Sequence, residues 1–199
     1  LTRKNYRSFV GYNFNILINC SMPSKRFWAK KNPEIDYDET VKKTKYFLEK
    51  FKYKKFIHIS SISARCQRKT VYGRNKFLSE NLVLKKKKNL VLRLGPLYGE
   101  KLEKGVLIDL INSKTVFVNK NSRYSFTSTN WIAKWIIKNY LKKKGLIEIG
   151  AKDYLLLRDI KKKLKSKSKF YGVLDNQIIL SDEEYSCNSK EVFNFLKKK

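Results

Sequence analysis

Two kinds of segment alternate along the first half of this chain, and no other feature restricts its fold so much. Asn15-Ile16-Leu17-Ile18-Asn19-Cys20 is a short apolar run of the sort a buried strand makes. Over residues 37–51, Val41, Thr44, Phe47, Leu48 and Phe51 fall on one face at helical spacing. Asp36, Asp38 and Glu39 at the start of that stretch suit the positive end of a helix dipole. Residues 55–59 read as a second strand, 72–84 as a second helix and 89–94 as a third strand. Strand, helix, strand, helix, strand predicts an α/β fold, a parallel sheet joined by crossover helices. Between the first strand and helix, residues 21–33 hold Pro23, Trp28 and Pro33 and read as an irregular connection.

The second half is less regular. Helices are expected at 106–111, at 131–141 behind a cap from Ser128 or Thr129, at 157–164 and at 189–196. Short strands are expected at 115–118, at 146–149 before Gly150, and at 178–180. The 199 residues suffice for one ordinary domain with a real core, with the part from about residue 100 onward forming a smaller region.

A formal charge of +29 would ordinarily suggest nucleic acid. Here 37 of the 46 basic residues are lysines spread over the whole chain. Lys, Asn, Ile, Phe and Tyr are abundant, while Ala, Gly and Pro are scarce, a bias that an A+T-rich coding sequence produces without a partner. The lysine runs at 85–88, 142–144 and 161–163 read as solvated loops or helix ends, and no recognition motif accompanies them. Specific nucleic-acid binding is therefore not expected. Nor is a membrane span, since no run of 18 apolar residues occurs. Cys20, Cys66 and Cys187 are odd in number and far apart, which argues against a disulfide framework and fits a reducing cytoplasm. His58, the only histidine, lies inside a strand run and reads as a core residue, so a metal site lacks ligands.

Three Tyr-x-x-x-Lys spacings occur, at Tyr46/Lys50, Tyr72/Lys76 and Tyr140/Lys144. With 12 tyrosines and 37 lysines, chance supplies about two, so the spacing by itself only makes two side chains neighbours on a helix. Tyr72/Lys76 differs in context. It lies between two strand-like runs, behind the pair Ser60-Ser61 and ahead of Gly95-Pro96-Leu97-Tyr98-Gly99. The other two read as surface pairs. Ligands of open α/β sheets bind beyond the carboxyl ends of strands, which puts Ser61 at a site, with Ser60 and Ser63 as rivals. By the same argument Cys20 and Ser21 either line a ligand or simply end their strand.

That ordered set, Phe56-Ile57-His58-Ile59-Ser60-Ser61, Tyr72-Gly73-Arg74-Asn75-Lys76 and the run from Leu90 to Gly99, resembles the extended short-chain dehydrogenase/reductase family. The likeness covers roughly residues 13–165. It implies a Rossmann-like parallel sheet, NAD or NADP as cofactor, a sugar-nucleotide-like small-molecule substrate, and allows a homodimer. In that family's terms Tyr72 is the proton-transferring residue, Lys76 supports it and reaches ribose hydroxyls, and Ser61 binds the substrate oxygen. Cys20, Ser21, Gly95, Pro96 and Leu97 would line the nicotinamide. A tyrosine has an ordinary pKa near ~10, so a nearby ammonium together with a positively charged nicotinamide is expected to favour the phenolate. Departures are Thr40 and Lys43 for the family's Asn and Gly, Pro96 for an Asn, and Asn130-Trp131 for paired acids.

The family's opening glycine-rich turn, which cradles the dinucleotide pyrophosphate, has no counterpart among the glycines at 11, 73, 95, 99, 105, 145, 150 and 172. The expectation is a partial Rossmann-like domain with that part of the parent fold upstream of Leu1. The readings are an NAD(P)-dependent epimerase or dehydratase, a reductase of the dehydrorhamnose-reductase type, or a non-catalytic basic binding protein on a degenerate remnant.

Overall fold

The computed structural model describes residues 4–180 and 187–197. After a 3₁₀ turn at Tyr6–Phe9 come strand β1 (Asn13–Asn19), helix α1 (Arg26–Lys31) and helix α2 (Pro33–Tyr37). A π-helical turn at Asp38–Lys42 passes directly into α3 (Lys43–Lys50). Strand β2 (Lys52–Ser61), the short helix α4 (Ser63–Cys66), helix α5 (Val71–Leu84) and strand β3 (Leu90–Leu94) follow. The remainder is β4 (Leu97–Tyr98), α6 (Val106–Ile111), β5 (Arg123–Tyr124), β6 (Thr127–Ser128), α7 (Thr129–Asn139), β7 (Gly145–Ile149), β8 (Leu155–Leu156), α8 (Leu157–Leu164) and α9 (Glu191–Leu196).

Four strands make one parallel sheet in the order β1-β2-β3-β7. β1 and β2 run in register from Asn13 opposite Lys52 to Asn19 opposite His58. All five residues of β3 are buried, as a central strand covered on both faces requires. β1 alternates towards exposure and, among the described residues, has a strand neighbour on one side only. The expected α/β alternation is thus the observed one.

The chain divides into two compact units. The first runs to Arg93 and takes in Asn139–Ile147; the second comprises Leu94–Lys138 and the described residues from Glu148 onward. In the first, Leu17, Phe47, Phe51, Phe56, Val83 and Val91 form the core. Phe56 is fully buried, and a side chain of that size stabilises by about 1.5–3 kcal/mol on leaving water. Asn89 fixes the start of β3 after the exposed Lys85–Lys88 stretch. Its side chain accepts from the Phe56 N–H at 3.3 Å and donates to the Val83 carbonyl at 3.0 Å. The second unit has its own core of Leu107, Leu110, Phe126, Leu157, Ile160 and Val192 among others.

Several expectations are corrected. Residues 21–33 are not wholly irregular: Arg26–Lys31 is helix α1, whose Ala29 is fully buried and which packs on α5. Six residues cannot hold a helix by propensity alone, so tertiary packing makes this one. The helix expected over 37–51 begins at Pro33, a residue suited to the first helical position, and is interrupted by the π turn. The Thr44 hydroxyl donates back to the Thr40 carbonyl at 2.7 Å just after that turn. Residues 178–180 form no strand, and 115–118 contribute only an isolated bridge from Val116 to Phe170. Among the described residues no helix is long and apolar enough to cross a membrane.

Candidate active site

The site begins where β2 ends. Ser61, its last residue, accepts from the Ser63 N–H at 3.2 Å. That leaves its own proton to donate, and its hydroxyl acts on the phenol of Tyr72, holding the phenol's pKa down. Tyr72 is the second residue of α5, whose N-cap Thr70 accepts from the Gly73 N–H at 3.1 Å. Gly73 explains how the phenol reaches Ser61. A Cβ there would stand 2.2 Å from the Gln67 carbonyl oxygen and 2.6 Å from that of Ser63. Only glycine lets α5 start so close to α4.

Lys76 lies one turn further on and is almost completely buried. Its ammonium stands 5.2 Å from the Tyr72 ring centroid. Burial lowers its pKa to about 7, against the pull of the Asp36 and Glu80 carboxylates. Tyr72 moves the opposite way, pushed up to about 12 by burial; Arg26 and the Ser61 hydroxyl oppose the rise and Asp36 adds to it. Desolvation therefore outweighs the cations, and the resting phenol keeps its proton. The ammonium expected to favour the phenolate is not what chiefly pulls the phenol down; Arg26 of α1 is.

Around this pair lies a buried polar set. The Arg93 guanidinium grips Glu80, with Nη2 2.6 Å from Oε2 and Nε 3.0 and 3.1 Å from the two oxygens. The Ser60 hydroxyl donates to Glu80 Oε1 at 2.5 Å, so Ser60 belongs to this ion pair while Ser61 meets Tyr72. Fully buried His58 faces Ser79 at 3.0 Å and Asn19 at 3.4 Å. Burial, helped by Lys76, drops its pKa to about 3, so the imidazole is neutral.

At the end of β1, Asn19 Oδ1 accepts from the Ser21 N–H at 3.1 Å and from the Ser21 hydroxyl at 2.9 Å. Its Nδ2 donates to the Thr44 hydroxyl at 3.1 Å. Ser21 thus takes part in a clamp that finishes the strand, and Cys20 beside it is exposed. Gly95, Pro96 and Leu97 belong to the second unit. There the Gly95 N–H donates to Ile149 and the Pro96 carbonyl accepts from Thr127, while Leu97 pairs with Thr127 between β4 and β6. Ser61, Tyr72 and Lys76 are brought together in one unit with Arg26, Asp36, Asn75 and Glu80.

None of those last four was given a role at the site from the sequence. Arg26 lay in a stretch read as connection, Asp36 was read only as suiting a helix dipole, and Asn75 was named only within the run from Tyr72 to Lys76. Glu80 did carry a signal: Tyr72, Lys76 and Glu80 recur every fourth residue, a polar line along the buried side of α5.

No family model matches the sequence, and no curated protein matches it. Solved structures do. A UDP-glucuronic acid 4-epimerase from Bacillus cereus, solved with UDP-glucuronic acid and NAD, superposes with a TM-score of 0.74 at 18% identity over 92% of this chain and 76% of its own. An NAD-dependent NDP-hexosamine 5,6-dehydratase of tunicamycin biosynthesis gives 0.78 at 11% identity, over 97% and 80%. A dTDP-4-dehydrorhamnose reductase from Bacillus anthracis, in complex with NADP, gives 0.70 at 16%, over 93% and 80%. At such identities the likeness is one of fold. The chain has the Rossmann-like α/β fold of these enzymes.

Proposed function

We propose that the chain belongs to the extended short-chain dehydrogenase/reductases and acts as an NAD(P)-dependent oxidoreductase or epimerase-type enzyme on a sugar nucleotide or similar carbonyl/alcohol substrate. One observation carries the reading: Ser61 at a strand's carboxyl end beside the Tyr72 phenol, with Lys76 buried one turn along and its ammonium 5.2 Å from the Tyr72 ring. In the solved structures of like fold, the named substrates are sugar nucleotides and the named cofactors NAD and NADP.

The donor set suits the nicotinamide-ribose end of such a cofactor: two hydroxyls that address one substrate oxygen, and an ammonium for ribose hydroxyls. It does not extend to the pyrophosphate, for which these 199 residues hold no glycine-rich turn. When bound, the nicotinamide supplies or removes hydride. The chain's own part is the proton. Ser61 and Tyr72 orient the substrate oxygen, and the Tyr72 phenol gives its proton to that oxygen as a carbonyl is reduced, or takes it back in the reverse direction. A reductase of the dehydrorhamnose-reductase kind, in which the protonated phenol gives its proton to a carbonyl oxygen, is the second reading.

The test is to supply NAD or NADP with a panel of UDP- and dTDP-linked hexoses and their keto forms to the longest chain the gene encodes. Reduced-nicotinamide absorbance and product NMR then report the reaction. Expected is inversion or reduction at one sugar carbon. Failure of both cofactors to bind, with no sugar changed, would sink the reading.

A further inference from the structure

A chain of buried polar groups runs from the end of β1 through His58 to the backbone of Lys76, and the main chain at either end fixes which way each proton points. At the β1 end, Asn19 Oδ1 accepts from the Ser21 N–H at 3.1 Å and from the Ser21 hydroxyl at 2.9 Å. A backbone N–H can only donate, so the oxygen of the Asn19 amide faces Ser21 and its nitrogen faces the other way. That nitrogen meets Thr44 Oγ1 at 3.1 Å and His58 Nδ1 at 3.4 Å. The Thr44 hydroxyl already gives its proton to the Thr40 carbonyl at 2.7 Å. Both atoms therefore accept from Asn19, and His58 Nδ1 carries a lone pair.

The α5 end leads independently to the same state. The Ser79 hydroxyl lies 2.7 Å from the Lys76 carbonyl and 3.8 Å from Met22 Sδ. Neither of these can donate, so the single Ser79 proton goes to the carbonyl, the nearer and stronger acceptor. Ser79 Oγ can then only accept from His58 Nε2, 3.0 Å away. Two backbone groups, the Ser21 N–H and the Lys76 carbonyl, thus dictate a neutral imidazole with its proton on Nε2. A second proton, on Nδ1, would face the Asn19 amide nitrogen and find no acceptor. Complete burial acts in the same direction.

The chain joins the elements that carry the site. His58 stands on β2, the strand that ends in Ser61, and Ser79 stands on α5, the helix of Tyr72 and Lys76. The bond from Ser60 to Glu80 ties the same strand to the same helix. We propose that His58, held as the Nε2–H tautomer between Asn19 and Ser79, is a positioning residue: it locks α5 to β2 and to the end of β1, and so sets Tyr72 and Lys76 against Ser61. The catalytic meaning of this lock rests on the function proposed above; the tautomer and the contacts that fix it do not.

His58 is the only histidine, so isotope-labelled histidine gives one pair of ring-nitrogen NMR signals that belong to it. Near neutral pH the expected pair is a protonated, pyrrole-type Nε2 and an unprotonated, pyridine-type Nδ1. The opposite tautomer, an imidazolium or an averaged pair overturns the proposal, and this measurement needs no variant. In Asn19→Asp a carboxylate oxygen takes the place of the donating nitrogen, so Nδ1 should gain a proton. Ring signals unchanged in that variant also overturn it. In the cofactor-loaded enzyme, Ser79→Ala should lower kcat about tenfold or more while KM stays within about threefold, as for misplaced catalytic groups. His58→Gln, whose amide can donate towards Ser79 and accept from Asn19, should keep more of kcat than His58→Leu. An unchanged kcat in Ser79→Ala overturns the positioning role, and that milder variant decides should His58→Leu not fold. A wild type that turns over no sugar would count against the proposed function, while the ring-nitrogen signals would still judge the lock.

Discussion

Among the described residues each unit buries one aspartate, and the two are treated differently. In the second unit both oxygens of Asp175 accept from neutral donors. Tyr124 donates to Oδ2 at 2.6 Å, Gln177 to Oδ1 at 2.7 Å, and the Asp175 N–H itself donates to Ser122 at 3.0 Å. In the first unit Asp36 Oδ2 accepts from Asn75 and Oδ1 has no hydrogen-bond partner among the described residues, while burial pushes the carboxyl's pKa up against the pull of Asn75 and Lys76. A carboxylate with both oxygens hydrogen-bonded ties segments together and has nothing left for chemistry. One left half-engaged beside a charge is the kind of arrangement found where protonation states matter. The comparison sets a fully hydrogen-bonded aspartate in the second unit against a half-engaged one beside the candidate site of the first.

Tyr72→Phe gives the largest effect that would break this comparison. The substitution removes one oxygen from the site and leaves the ring against Lys76. General acid-base catalysis by one residue is worth about 10²–10⁴-fold, so kcat in the cofactor-loaded enzyme should fall by that order while the melting temperature holds. Tyr46→Phe and Tyr140→Phe should change kcat by less than about threefold, near the scatter of surface substitutions. Tyr46 packs its ring against Tyr6, Phe47 and Phe51 and serves the core rather than a reaction. Full activity in Tyr72→Phe would reduce the first unit to a second packing unit.

Next in size is the contrast between Glu80→Ala and Asp175→Asn. Removing Glu80 breaks its buried ion pair with Arg93 and takes one carboxylate from Lys76, a loss of about 3–5 kcal/mol for a broken buried pair. Asp175→Asn keeps the shape and disturbs neutral hydrogen bonds, about 1–3 kcal/mol. Urea melts of both variants measure the difference. Equal losses would mean that the charged set of the first unit is no more demanding than the neutral set of the second.

How far the sequence revealed this depends on the scale of the signal. β1, β2, β3 and α5 were legible because apolar runs and helical spacing are local. Ser61 and Tyr72 were legible because strand ends and helix starts are where open α/β sheets place ligands. Helix α1 was not, because its six residues owe their helicity to packing on α5, which no local pattern records. The π turn that splits the run from Pro33 to Lys50 left no pattern either. Asp36 was seen only as a dipole-favouring residue at a helix start, a surface role. Its burial follows from where α2 meets α5. The burial that pushes the Tyr72 phenol up left no local pattern either.

A third prediction concerns pH. His58 titrates near 3 in the folded chain against an ordinary 6.5, so the unfolded chain binds more protons between those values. Stability therefore rises with pH across that window, is fully present above 6.5, and is lost as pH falls towards 3. Lys76, at about 7 against 10.5, acts the same way, its contribution growing from pH 7 upward. Tyr72 acts oppositely: at about 12 against 10.0 the folded state holds the extra proton, and stability is lost as pH rises beyond 10. Urea midpoints across pH should therefore climb from acid towards pH 10 and then turn down. His58→Gln should flatten the acid limb and leave the alkaline one. An unchanged acid limb would place the acid sensitivity outside this site.

The smallest expected effect is on the charge that dominates the composition. Lys85–Lys88 are all exposed and sit between α5 and β3, where Asn89 fixes the chain and Lys86 donates to the Tyr53 hydroxyl at 3.2 Å. Replacing Lys85, Lys87 and Lys88 by Gln should change stability by less than about 0.5 kcal/mol, as for other surface positions. Lys55 is different although it carries the same charge, because its ammonium donates to the carbonyls of Leu141 at 3.3 Å and Lys143 at 2.5 Å, tying β2 to the turn before β7. Lys55→Gln should therefore be felt more than the triple change. The same triple variant tests the excess charge itself. Wild-type chain should bind DNA weakly at low salt, without sequence preference, and lose that binding steeply as salt rises, since phosphate contacts alone release counterions. The variant should show a shallower salt slope and nothing else. Tight binding at physiological salt that prefers one sequence would instead make the basic surface a recognition surface, and the first unit would then have two functions to explain.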